Sequence, residues 1–195
     1  MRLTERAHMQ VVAAVEPGAT VVDATAGNGW DTLFLARCVG PTGRVYAFEV
    51  QPQGVVATRQ RLQEADMAAR VHLIAEGHEH LAKTLGAQKA PALAAVMFNL
   101  GYLPGSDKSV TTQPHNTVQA LDAALRWLAP GGLLSVLAYR GHAGGDAEYD
   151  AVRLWMGRRA GEGHAVQLEA SAGPVLMLLR ACPGTSEPES DTGND

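Results

Sequence analysis

The sequence predicts an α/β protein built on a mainly parallel sheet with helices on both faces. Three observations predict it. Short apolar runs alternate with stretches of helical periodicity along nearly the whole chain, the pattern of repeated strand–helix–strand units. The run Leu93-Ala-Ala-Val-Met-Phe98 is apolar at every position, as a strand covered on both faces must be. The last two apolar runs are separated only by Ser171-Ala-Gly173, too short a link for a parallel crossover, so one strand runs antiparallel.

The elements follow in order. A helix is expected over about residues 4–15, and Glu16-Pro17-Gly18 then turns into a strand at 20–24. A second helix over about 30–39 stops at Gly40-Pro41-Thr42-Gly43, and a strand at 44–49 follows. Pro52 suits a first helical position, so the next helix runs from there to about Ala65. A third strand at 71–75 leads to a short helix over about 78–85, and the fourth strand at 93–98 to a long polar loop, 99–114. A helix over about 115–128, the turn Pro130-Gly131-Gly132, and a strand at 133–139 come next. The last helix, over about 145–160, precedes closing strands near 164–170 and 174–181.

At 195 residues the chain fits one domain, and 46% hydrophobic content is what a globular α/β core requires. No apolar run approaches the roughly 20 residues of a membrane span, and no leader pattern opens the chain. Cys38 and Cys182 lie far apart without metal or redox spacing. Together these features predict a cytoplasmic protein. The net charge of −4 is carried by Glu187, Glu189, Asp191 and Asp195 in the final 185–195 stretch, a polar segment expected to be a disordered acidic tail behind a 1–184 domain. The body is neutral, which excludes a strongly basic nucleic-acid binder but leaves room for a local basic patch. Seven histidines bring no pair at ligand spacing with a nearby carboxylate, so no metal is expected.

The most specific local signal is Asp23-Ala-Thr-Ala-Gly27-Asn28-Gly29, a strand end followed by a glycine turn opening a helix. Such a turn lets bare backbone approach a ligand. Glu49 ends the second strand, where an acidic residue commonly takes the hydroxyls of a ribose. A nucleoside cofactor across the carboxyl ends of the sheet is the expectation. A dinucleotide is disfavoured because Thr32 stands where the third fingerprint glycine belongs and Trp30 crowds the pyrophosphate position. No Gly-Lys-Ser/Thr cradle for a triphosphate occurs.

The spacing of Asp23, Gly27, Gly29, Asp31 and Glu49 resembles the first two motifs of the class I S-adenosylmethionine methyltransferases, with Thr25 in place of their usual first glycine. Asn99-Leu-Gly-Tyr102 resembles the Asn/Asp-Pro-Pro-Tyr tetrapeptide of methyltransferases that modify amino groups, with both prolines replaced. Longer blocks extend the likeness: Asp-Ala-Thr-x-Gly-Asn-Gly-x-Asp-Thr at 23–32, Tyr-Ala-Phe-x-x-Gln at 46–51, Phe-Asn-Leu-Gly-Tyr-Leu-Pro-Gly at 98–105, Asp-Lys-Ser-x-Thr-Thr at 107–112 and Tyr-x-Gly-His at 139–142. From about residue 8 to 180 the chain is similar to a bacterial family long labelled rRNA methylases, whose characterised members are tRNA 5-(aminomethyl)-2-thiouridine methyltransferases acting at the wobble uridine. Two departures are Glu49 for an expected aspartate and Gly77 for a serine before His78.

The resemblance implies a Rossmann-like, seven-stranded sheet with one antiparallel strand, and S-adenosyl-L-methionine as cofactor. It implies cofactor contacts from Asp23, Gly27, Asn28, Gly29, Asp31, Glu49, Gln51 and His78. It implies Asn99 aiming the target amine and Tyr102 stacking on the base, with Lys108, Tyr139, Arg140 and His142 toward the substrate and Asp107 as a candidate for the released proton. Arg158 and Arg159 are further phosphate candidates against a plain role as a solvated helix end. The implied partner is a tRNA anticodon loop, with a homodimer open. The alternatives are an rRNA or small-amine acceptor, or a cofactor-binding module without turnover.

Overall fold

The computed structural model describes residues 1–101, 111–141 and 144–182. Its elements alternate as expected: α1 (Leu3–Val12), β1 (Thr20–Asp23), α2 (Trp30–Cys38), β2 (Arg44–Phe48), α3 (Pro52–Glu64), β3 (Val71–Ile74), α4 (Leu81–Ala87), β4 (Leu93–Leu100), α5 (Pro114–Trp127), β5 (Leu128–Ala138), α6 (Gly145–Gly161), β6 (Ala165–Ala170) and β7 (Val175–Arg180). The strands form one seven-stranded sheet in the order β3-β2-β1-β4-β5-β7-β6. Every pairing is parallel except those of β7, antiparallel to both β5 and β6. The hairpin through Ser171-Ala-Gly173 is therefore the one reversal.

Each sheet face buries its own core. Leu3, Ala7 and Val11 of α1 and Leu35 and Ala36 of α2 cover Val21, Val45, Ala95 and Leu133 on one face. Leu81 and Leu85 of α4, Leu121 and Leu125 of α5 and Trp155 and Met156 of α6 cover Phe48, Val96, Phe98 and Val136 on the other. The central strand β1 is buried at all four positions, the consequence of being covered from both sides.

Helix α1 ends at Val12, short of the expected 15, and the turn 78–80 precedes α4; two strand boundaries shift by more than one residue, each for a tertiary reason. Strand β4 continues to Leu100 because β5 pairs with it in register through Asn99↔Leu137 and Leu100↔Ala138; Asn99 therefore sits on a strand, not in a loop. Strand β5 begins at Leu128 rather than 133, absorbing Pro130-Gly131-Gly132 as an irregularity opposite Leu93–Ala95. There the amide of Gly131 donates to the Ala181 carbonyl at 2.9 Å and the amide of Ala181 to the Gly132 carbonyl at 3.0 Å, so the turn is stitched to the chain leaving β7.

The chain leaves β1 toward β2 and β3 on one side and returns to β4 on the other. That reversal opens a crevice at the carboxyl ends of β1 and β4, where ligands collect in open α/β sheets. Among the described residues no helix is long and apolar enough to cross a membrane.

Candidate functional site

The crevice holds a cavity of about 1020 Å³. Its walls come from α1, the turn after β1, the end of β2, the turn before α4, the end of β4 and the end of β5. Gly27, Asn28, Asp31, Glu49, Gln51, His78, Asn99, Tyr139 and Arg140 all line it.

The turn after β1 is built by backbone needs. Gly27 and Gly29 take φ of +57° and +82°, a region that glycine enters without strain. A Cβ on Gly29 would stand 2.8 Å from the Thr58 Cα. Gly29 thus lets α2 and α3 touch, and it does not itself face the cavity. The Thr58 hydroxyl donates to the Gly27 carbonyl at 3.0 Å and Arg61 Nε to the Asn28 carbonyl at 2.7 Å. Thr25, the departure from the usual glycine, accepts the Asn99 backbone amide at 2.7 Å through its hydroxyl, tying β1 to β4 across the switch point.

Glu49 reaches back under this turn. Its two carboxylate oxygens accept the Gly27 and Gln51 amides, each at 2.7 Å. Burial pushes its carboxyl up, against the pull of the amides of Gln51, Gly27 and Val50. Gln51 is buried and accepts from the Gln53 side chain at 2.9 Å. With the Val50 amide also drawn to it, the carboxylate keeps acceptor capacity for one further donor.

Asp23 belongs behind the site rather than in it. It is fully buried and absent from the cavity wall, accepting the Thr32 hydroxyl at 2.6 Å and the Thr25 amide at 3.2 Å. The expected cofactor contact from Asp23 is therefore replaced by a hold on the turn and on α2. Burial, reinforced by the Asp31 and then the Glu49 carboxylate, outweighs the Thr32 and Thr25 hydrogen bonds and pushes its carboxyl up to about 7. The folded chain consequently holds this proton where the unfolded chain, near 3.8, has lost it. Stability from this group is full below about pH 4 and is lost as pH rises through about 7. Urea unfolding of wild type and Asp23→Asn across that window should show the variant gaining relative stability as pH rises. A pH-independent difference would place the Asp23 proton elsewhere.

Asp31 is the junction of a network that residue order does not reveal. One carboxylate oxygen meets His8 Nε2 at 2.6 Å, and the other accepts the Asn99 side-chain amide. His8, from α1, stacks on Phe34 with centroids 3.8 Å apart. It had no sequence signal beyond membership of the first helix. Because a carboxylate only accepts, the Asn99 nitrogen faces Asp31, and among the described residues no hydrogen bond engages its Oδ1. The Asp31 charge, after burial, also raises the Tyr139 phenol.

On the far wall His78 is buried, with Nδ1 3.2 Å from the Ala24 carbonyl and Nε2 3.4 Å from the Thr117 hydroxyl. Burial pushes its ring toward neutrality, so Nδ1 carries the proton and donates to Ala24. The single Thr117 proton goes to Glu148 at 2.6 Å, leaving the 3.4 Å approach a contact rather than a bond. Both His78 nitrogens thus face protein groups. Glu148, missed in the sequence, is buried and also accepts the Thr112 hydroxyl at 2.5 Å. Thr112 and Gly101 exchange backbone and side-chain bonds at 3.0 Å, so these two residues are held together beside the cavity.

Arg140 is half exposed, donates to Asp146 at 3.1 Å and lies 4.9 Å from the Tyr149 ring centroid. Arg159 is turned away, held by Asp122 at 3.3 Å and Glu162 at 2.6 Å, and neither it nor Arg158 reaches the cavity. Tyr102, Asp107, Lys108 and His142 lie outside the described residues, as does the 185–195 tail.

The comparisons with known proteins agree with this geometry. A family model described as "Putative rRNA methylase" matches residues 45–168. The chloroplastic tRNA (mnm(5)s(2)U34)-methyltransferase of Arabidopsis thaliana is 38% identical over 79% of the chain, which spans 58% of that protein's length. A crystal structure of a "putative rRNA-methylase" from Clostridium thermocellum superposes with a TM-score of 0.82 at 36% identity, covering 91% of this chain and 96% of that one. A "putative methyltransferase" from Streptococcus mutans, in complex with SAH, gives 0.80 at 33% identity, covering 92% and 98%.

Proposed function

The chain belongs to the rRNA methylase family of class I S-adenosylmethionine-dependent methyltransferases, and from that premise we propose that it methylates the exocyclic amine of 5-aminomethyl-(2-thio)uridine at the wobble position of tRNA. The observation that carries the acceptor is the Asn99–Asp31–His8 network, set beside the tRNA specificity in the name of the Arabidopsis relative.

The cavity fits S-adenosyl-L-methionine. The Glu49 carboxylate, with acceptor capacity left beside its backbone amides, suits a ribose hydroxyl, and the side-chain-free Gly27 lets the turn approach the methionine portion. Gln51 and His78 would take the adenine and Asn28 and Asp31 the charged tail; all four line the cavity. A volume of about 1020 Å³ leaves room for an acceptor nucleoside as well. The bound cofactor supplies a methyl group already activated on a sulfonium.

What remains for the protein is alignment and proton handling. An amine attacks only through a free lone pair. Asn99 Oδ1 accepts an N–H of the neutral amine, and the Asp31 bond to its amide nitrogen fixes that orientation. As the new carbon–nitrogen bond forms, the nitrogen becomes positive and must shed one proton. The Asp31 carboxylate takes it, and His8, one-third exposed and donating to the same carboxylate, holds that acceptor on the solvent side. Tyr139 and Arg140 border the acceptor side, Arg140 within reach of a phosphate.

Mass spectrometry of tRNA nucleosides with and without the gene tests this reading. Accumulation of the aminomethyl nucleoside on deletion, and its conversion by purified protein, are the expected results. Unchanged tRNA, with a methyl group missing from rRNA or from a small amine, would overturn it.

A further inference from the structure

Trp30 is 65% exposed, whereas Trp155 is 2% exposed and Trp127 packs against the core. Leaving an indole in water forgoes a large apolar burial, and exposed aromatics at a cavity rim mark binding surfaces. This ring is also held in place. The Arg61 guanidinium lies 3.4 Å from its centroid, and the same guanidinium donates to the Asn28 carbonyl at 2.7 Å. One face of the indole is thus covered by a pinned cation, and the opposite face meets solvent.

We infer that the open face of Trp30, backed by Arg61, is a stacking platform for an unpaired base of the RNA acceptor, neighbouring the base that is methylated. The inference rests on the tRNA reading above and adds a contact to it. Trp30 opens α2 between Asn28 and Asp31, and all three line the cavity. Asp31 holds Asn99, so a base on Trp30 lies next to the point where the amine would be aimed. Unstacked RNA bases are read by aromatic rings and by guanidinium planes, and here the two are layered. The cation behind the ring favours an electron-rich base over an aliphatic side chain. Arg2, also on the cavity wall, offers a charge for the adjoining phosphate. The acidic residues inside, Asp31, Glu49, Glu76 and Glu79, keep the RNA backbone at the rim and admit only the neutral base.

The test uses the full chain and a synthetic anticodon stem-loop RNA. Trp30→Ala should weaken RNA binding roughly 5- to 150-fold, the span that one stacked base contributes. Trp30→Phe should recover most of that loss, and cofactor affinity by calorimetry should be unchanged in both. In the wild type, RNA should quench the fluorescence of the one exposed tryptophan. Undiminished RNA affinity and methylation in Trp30→Ala would overturn the platform and leave the tRNA reading standing. A loss of cofactor affinity instead would make Trp30 part of the cofactor wall. Failure of the wild-type protein to bind or methylate any tRNA would overturn both.

Discussion

Asn99→Ala lowers the rate of methyl transfer by roughly 100-fold, the scale at which a misaligned reacting group slows a reaction, while cofactor affinity stays nearly intact. The side chain of Asn99 contacts Asp31, not the Gly27–Gly29 turn or Glu49. Its backbone amide, which does hold Thr25, survives the substitution. Removing the side chain therefore frees one Asp31 oxygen and deletes the amine acceptor without disturbing the ribose side. Single-turnover kinetics beside calorimetry separate the two effects. Parallel losses in binding and turnover would mean that Asn99 merely supports the cofactor pocket. His8→Gln should keep part of the network and lower the rate less, chiefly toward acid pH, where proton removal from the amine limits attack.

The second large effect concerns Glu49, and it can be reached by two routes. Glu49→Ala should weaken the cofactor by ~1.5–3 kcal/mol, the range for hydrogen bonds to a charged group. Gly54→Ala should produce a comparable loss without touching the carboxylate chemically. A Cβ there would stand 2.8 Å from Glu49 Cγ and Cδ and 2.9 Å from the Gly27 carbonyl oxygen, so the carboxylate and the turn must separate. The added methyl group favours helix α3 by about 1 kcal/mol, which offsets the strain in the thermal midpoint. The variant should be a folded protein with poor cofactor affinity. Calorimetry with S-adenosylmethionine and a melting curve check both halves, and unaltered affinity in Gly54→Ala would dissociate Glu49 from the site.

Local patterns were legible because their physics is local. Alternating apolar runs reported the parallel sheet, since a strand buried on both faces has no polar alternation to hide. The Ser171-Ala-Gly173 link reported the antiparallel β7. Two left-handed glycines and a strand-end carboxylate located the crevice, because backbone approach to a ligand needs residues of that kind at that spacing. Boundaries slipped where pairing partners extended a strand: β4 runs on through Asn99 because β5 is alongside.

What the chain order concealed lies in contacts between distant elements. His8 and Asp31 are 23 residues apart and Asn99 and Asp31 are 68 apart, yet packing of α1 and α2 on one sheet face brings the three together. Glu148 reads as an ordinary charge in a first helical turn until burial places it against Thr112 and Thr117. Asp23 and Glu49 both end strands as carboxylates and look alike in the sequence. Only the fold decides that Asp23 is sealed behind the turn with its proton retained, while Glu49 bends under the turn into the cavity. The sequence by itself determined the sheet, the glycine turn and the chemistry of the candidate groups, since these follow from residue type and short spacing. The tertiary structure decided which groups meet, because burial and hydrogen bonding depend on what the other elements bring alongside.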